Sequence, residues 1–228
     1  IAGASAVDVA IASAHGAKGG AEAGAEGFDD RFAKGKAACA IANERRENIP
    51  FVLCGKIIVA TEECELPRME TLLERGPQNG VVCERIGPER IRELEPHATG
   101  IAGIHVPEAG VVDYKQVALR LAEIISRQGS TIVTSARVTG MRRDTNRAVV
   151  ETTAGQFAAE HVVNCAGLFS DRVARLSGVK PSAQIVPFRG EFYALRPEGH
   201  HLVRMLVYPV PDAAYPFLGV HFTRPING

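Results

Sequence analysis

The sequence carries no net charge, because its 26 Lys and Arg residues balance its 26 Asp and Glu residues. The basic side chains are dispersed, so the electrostatic footprint that nucleic acid or an anionic membrane surface demands is missing. Also absent are any run of roughly 18 apolar residues and any charged-then-apolar leader at the start. The five cysteines, at 39, 54, 64, 83 and 165, include no C-x-x-C pair, and no histidine stands at metal-ligand spacing. Zinc, a disulfide framework and any other metal site are therefore not expected, and a reducing, cytoplasmic setting is. Peripheral contact with the inner face of a membrane stays open. What is present is a soluble composition with 46% hydrophobic residues, enough chain for one large core or two modest ones. Such a chain is expected to handle a small molecule.

The opening, "IAGASAVDVAIASAHG", has the shape of a first nucleotide-binding βα turn: apolar residues, Gly3, then small residues running into an alanine-rich helical stretch. Where that turn calls for G-x-G-x-x-G, the chain reads Gly3-x-Ser5-x-x-Asp8. Gly3 can make the tight turn. Ser5 adds a side chain where a phosphate should approach, and Asp8 adds bulk and negative charge at the packing position. Residues 16 to 27, "GAKGGAEAGAEG", read as a flexible connection.

Farther along, "CGKIIVATEE" is a β-branched apolar run and a strand. Pro67 opens a helix with Leu66, Met69, Leu72 and Leu73 on one face, expected to stop at Gly76, and Pro88 opens a second in "GPERIREL". Asp113 is placed to cap a longer helix whose face is Val117, Leu121, Ile124 and Ile125, with Gly129 at its end. "TIVTSARVTGMRR", "RAVVETT" and "GQFAAEHVVNCAG" read as strands with a turn at Ala154-Gly155. "HVVNCAG" has the continuous apolar character of a buried parallel strand, running into the helix "SDRVARLSG". "QIVPFRGEFYAL", "LVRMLVYPVPD" and "FLGVHFTR" read as antiparallel strands. This order, βα elements alternating with sheet blocks, points to two interleaved domains of α/β plus antiparallel-sheet class.

The blocks "VVNCAGLFSDRVARLSG", "IVPFRGEFYAL", "LVYPVPD" and "PFLGVHFTR", with "CGKIIVATEE" and "GIHVPEAGVVDY", resemble the L-2-hydroxyglutarate oxidase/dehydrogenase group of FAD-dependent oxidoreductases, in the D-amino-acid oxidase-like superfamily. The resemblance covers roughly residues 48 to 228, and residues 1 to 12 fit the group's first βα turn. The family's next segments, a strand ending in an acid and a closing segment beyond "GVHFTR", have no counterpart here, so an incomplete member is expected.

That resemblance implies a Rossmann-like FAD-binding domain, residues 1-52 and 112-182, interleaved with a sheet-based substrate domain, residues 53-111 and 183-228. It implies hydride transfer from L-2-hydroxyglutarate to the flavin, with oxygen or a quinone as final acceptor. Gly3, Ser5, Val138, Ala166 and Gly167 would lie along FAD. Arg189, Tyr208 and Arg224 would meet the dicarboxylate substrate, because each end of such a molecule needs a cationic or hydroxyl partner. His221 is the expected base, since imidazoles in general titrate near neutrality. Each of these residues also has an ordinary structural reading, and Cys165 reads as a buried small residue. Oxidation of an amine or of a glycerol phosphate is the alternative chemistry. A non-catalytic remnant that packs against a partner or a second copy of itself is the alternative of another kind.

Overall fold

The structure is a computed structural model that describes residues 48–212, 214, 219–224 and 226. Gly3, Ser5, Asp8 and the 16–27 connection lie outside the described residues, as does the stretch from Lys36 to Glu47, whose sequence reads as helical. The described chain divides into two compact units, 121–192 and 48–120 with 193–226.

The 48–120/193–226 unit is built on a four-stranded sheet in the order β3-β4-β2-β9: Glu84–Ile86, Ala102–Val106, Lys56–Ala60 and Leu206–Pro209. β2 opposes β4 antiparallel, with Ile57 across from His105 and Ile58 from Ile104. Strand alternation sends Ile57 and Val59 to one face, where Ile86, Ile91 and Met205 join them. Ile58 and Ala60 go to the other, with Met69, Ala102, Ile104 and Val210. Each face is covered by the helix whose apolar stripe fits it. α1 (Leu66–Gln78) contributes Met69, Leu72 and Leu73, and α2 (Pro88–Leu94) contributes Ile91. A two-residue pair, β1 (Phe51–Val52) with β5 (Val111–Val112), stands apart from this sheet.

Two expectations change here. α1 runs through Gly76 and Pro77 and ends at Asn79, whose side-chain amide caps the Arg75 carbonyl at 2.8 Å; the left-handed residue that follows is Gly80, φ 71°. Gly76 serves packing instead, because a Cβ there would sit 2.4 Å from Cys83 Sγ. β9 pairs parallel with β2, Lys56 opposite Leu206 and Ile58 opposite Tyr208, although an antiparallel block was expected. The chain leaves β2 and returns only after the other unit, and so long a crossover permits parallel pairing.

The 121–192 unit holds a three-stranded antiparallel meander, β6 (Val138–Asp144), β7 (Arg147–Thr152) and β8 (Gly155–Ala159). The expected turn at Ala154-Gly155 joins the last two. The boundary at residue 120 falls within α3 (Tyr114–Arg127), which Asp113 caps by accepting the Lys115 and Gln116 amides at 2.9 and 3.2 Å. Val117, Ile124 and Ile125 are half-buried, whereas Leu121 is exposed, contrary to its place on the expected face. α4 (Ser170–Leu176) forms where "SDRVARLSG" predicts it, with Gly178 left-handed beyond its end.

"HVVNCAG" is not a strand: residues 161–166 belong to no regular element, Val163 is 83% exposed and Cys165 is exposed as well. A buried parallel strand needs a ladder partner on each side, and among the described residues none pairs with it. "QIVPFRGEFYAL" likewise forms no strand, and its Phe192 and Tyr193 are 89% and 91% exposed. β propensity without a neighbouring ladder leaves the backbone to water. Of "FLGVHFTR", the described part contributes one bridge, Phe222 to Val207.

Candidate active site

The bridge between Val207 and Phe222 sets the site. These two residues exchange both backbone hydrogen bonds, at 3.1 and 2.9 Å, so they form the hydrogen-bonded pair of an antiparallel register. The next opposed residues are therefore a non-hydrogen-bonded pair, in which side chains approach most closely. Those residues are Tyr208 and His221. Their rings stack with centroids 4.6 Å apart and planes 21° apart. The Lys56 ammonium lies 3.9 Å from the centroid of the same tyrosine ring.

His221 Nδ1 lies 2.9 Å from the Gly219 carbonyl. A carbonyl can only accept, so Nδ1 carries the hydrogen, and in the neutral ring Nε2 keeps its lone pair. Tyr208 fixes the ring plane and Gly219 fixes the tautomer. Arg224 is half-buried and donates from Nη1 to the Arg204 carbonyl at 3.4 Å. The Arg204 amide donates to Glu95 Oε1 at 2.8 Å, and the Met205 amide donates to the same oxygen at 2.5 Å. Glu95, 1% exposed and just past α2, thus anchors the start of β9.

Of the expected substrate residues, Tyr208, His221 and Arg224 stand in one unit and are tied to β9. Arg189 stands in the other unit, outside any strand, with its side chain 85% exposed and paired with Glu191 at 3.1 Å. Lys56 was not among the expected site residues. Its signal in the sequence is a cation opening the strand run "KIIVA" at the alternation of Ile58, which puts it on the α1 face. Burial pushes the Lys56 ammonium below its usual pKa. The Cys54 thiol, also in this unit, is pushed up mainly by burial.

Lys56 also lines a cavity of about 440 Å³ on the α1 face of the sheet. Ile58, Leu72, Val81, Ile104 and Val106 supply apolar wall, and Arg75, Asn79 and Glu108 supply polar groups. Among the described residues no cluster of His, Cys, Asp and Glu could hold a metal ion. No helix among them is long and apolar enough to cross a membrane.

Val138 opens β6 opposite Thr152, beside an irregularity that shifts the register before Gly140. Ala166 and Gly167 form the turn into α4, organised by Asn164, whose Oδ1 accepts the Ala166 amide at 3.2 Å while its Nδ2 donates to the Ser170 carbonyl at 2.8 Å. Gly167 is left-handed, φ 53°, and nothing lies within 4 Å of where a Cβ would project.

These features define a class: a chain of two units, one with small residues at the turn into a helix, the other with a sheet presenting a histidine, a tyrosine and cations. The chain belongs to the FAD dependent oxidoreductase (DAO) family, which it matches over residues 9–228. It is 43% identical over 184 residues to the L-2-hydroxyglutarate dehydrogenase of Indibacter alkaliphilus, an alignment covering 80% of this chain and 46% of that protein. It is 42% identical over 197 residues to the mitochondrial L-2-hydroxyglutarate dehydrogenase of Homo sapiens, covering 81% and 42%. The chain therefore spans less than half the length of these curated relatives. Its fold is similar to that of L-proline dehydrogenase from P. horikoshii, with a TM-score of 0.66 and 18% identity over 78% of this chain and 49% of that one. It is also similar to L-alpha-glycerophosphate oxidase from Mycoplasma pneumoniae, solved with FAD bound, with a TM-score of 0.63 and 21% identity over 79% and 48%.

The open space beside Gly167, at the turn that Asn164 organises, leaves a flat group such as the family's cofactor room to lie against the chain.

Proposed function

We propose that the intact protein oxidises L-2-hydroxyglutarate to 2-oxoglutarate. The observation that carries this reading is the Lys56–Tyr208–His221 cluster, a base and a cation held together in a chain more than 40% identical to enzymes of that name. Oxidation removes a hydride from the hydroxyl-bearing carbon and a proton from its oxygen. FAD, when bound, supplies a two-electron acceptor for the hydride. His221 takes the hydroxyl proton at Nε2, and its Nδ1–H to the Gly219 carbonyl persists in the imidazolium that results. Stacking on Tyr208 keeps that nitrogen aimed. Arg224 and the Tyr208 hydroxyl receive substrate oxygens as charge-assisted and neutral donors.

The segments 1-52 and 112-182 are assigned to the cofactor domain, with Gly3, Ser5, Val138, Ala166 and Gly167 along FAD, and 53-111 and 183-228 to the substrate domain. Oxygen or a quinone as electron acceptor, a cytoplasmic setting and peripheral contact with a membrane belong to the same proposal.

The test is anaerobic mixing of the FAD-loaded protein with L-2-hydroxyglutarate, glycine, sarcosine and glycerol 3-phosphate while following the oxidised flavin band. Bleaching by the first alone is expected. Bleaching by an amine or by glycerol 3-phosphate instead would move the activity to that class, and a flavin-free, well-defined oligomer would make the protein a packing module. His221→Asn is expected to slow bleaching by about 100-fold at unchanged substrate affinity.

A further inference from the structure

Lys56 stands in a setting that the mechanism above leaves unused. Its ammonium is half-buried at the start of β2, and among the described residues it has no carboxylate partner. Its one close electrostatic contact is the face of Tyr208, at 3.9 Å. A ring face attracts a cation only weakly, well short of replacing lost hydration. Burial accordingly lowers its pKa, with no neighbouring charge acting the other way. Strand alternation aims the side chain to the α1 face, into the largely apolar cavity that Arg75, Asn79 and Glu108 also line, and Glu108 makes no ion pair with it there. The same ring that the ammonium touches is stacked on His221.

We infer that Lys56 is a specificity residue: it receives the second carboxylate of a dicarboxylate whose hydroxyl-bearing end faces His221. A half-buried cation that no carboxylate among the described residues pairs with is poised for an anion, and the flanking apolar wall of Ile58, Ile104 and Val106 suits the methylene chain between two carboxylates. A monocarboxylate of the same length would leave the ammonium unpaired, which is how a site rejects a ligand lacking one group. This inference rests on the reading that the protein oxidises a 2-hydroxy dicarboxylate.

The test uses the FAD-loaded protein and two inert probes, glutarate and butyrate. In the wild-type protein glutarate should bind more tightly than butyrate, and reductive methylation of the Lys56 amine, read by mass spectrometry, should be slowed by glutarate and not by butyrate. Lys56→Met should cut the glutarate-to-butyrate affinity ratio by roughly tenfold or more, and Lys56→Arg should retain most of it. Equal methylation with either probe, or an unchanged ratio in Lys56→Met, overturns the assignment. Because the methylation experiment uses unaltered protein, it decides even if Lys56→Met does not fold. Failure of the underlying activity appears separately, as absence of flavin reduction by L-2-hydroxyglutarate while glutarate still shields Lys56.

Discussion

One oxygen of Glu65 gathers three donors: the amides of Thr61 and Glu62 at 2.6 and 3.0 Å, and the Thr61 hydroxyl at 3.2 Å. It closes a capping box with Glu62 at the turn that leads into α1, satisfying amides that a helix start leaves without partners. Partial burial by itself would raise the carboxyl pKa, but the hydrogen bonds from Thr61 and Glu62, with Arg68 nearby, outweigh it and hold the group below its usual range. A folded-state pKa below the unfolded one means that the stabilisation is complete above the unfolded value of about 4.3 and disappears as pH falls through the lower folded value. Glu65→Ala should therefore cost about 1 kcal/mol at neutral pH, and the gap between variant and wild type should close under acid. Urea unfolding at a series of pH values measures this, and a gap independent of pH would contradict it. The cap at Asp113 was legible in the sequence, since an acid before a periodic helix face has few other roles. Lys56 was not legible, because its meaning depends on Tyr208, a residue 152 positions away whose register only the folded sheet supplies.

Among the elements, β9 has the most demanding placement. It is four residues long, joins β2 by a parallel ladder, and carries Tyr208 to both Lys56 and His221. Its start is set by Glu95, which holds the Arg204 and Met205 amides on one oxygen while its other oxygen is buried without a hydrogen-bond partner. Arg224 closes onto the Arg204 carbonyl, so a buried carboxylate, through the Met205 amide, and the proposed substrate arginine grip the Arg204–Met205 peptide group from its two sides. Glu95→Ala would strand two backbone donors, a loss of order 3 kcal/mol, and would free the strand that carries Tyr208. Glu95→Gln keeps an acceptor for those amides and should recover most of the stability. Denaturation of the two variants, with glutarate affinity alongside, should show loss and rescue in both measurements; full affinity in a destabilised Glu95→Ala would detach the anchor from the site. Strand and helix existence was readable wherever a pattern was complete within one element, as in "KIIVA" and "GPERIREL". Pairing sense was not, because the long chain between β2 and β9 permits either sense and only the folded sheet shows the parallel one.

At the scale of the whole molecule, the 161–167 segment is the one proposed to meet the cofactor. Its sequence was read as a buried parallel strand from a continuous apolar run, yet Val163 and Cys165 are exposed and no described strand bonds to it. Apolar character reports that a segment is suited to be covered, and the identity of its cover comes from elsewhere in the protein. Under the proposed function FAD is that cover, lying against Ala166 and the open left-handed Gly167. The amides of 161–167, which the β ladder does not protect, should exchange rapidly with solvent when the protein is flavin-free. Saturating FAD should slow exchange at Ala166 and Gly167. It should leave the amides of β7, already bonded on both sides in the β6-β7-β8 meander, much less affected. Binding to the native state alone also adds about 2.7 kcal/mol at a free FAD concentration 100 times its Kd, so the melting temperature should rise along with protection. Hydrogen exchange read by mass spectrometry separates the two possibilities: protection centred on 161–167 places the cofactor against this turn, whereas a uniform slowing over both units would mean that FAD stabilises the fold without resting there.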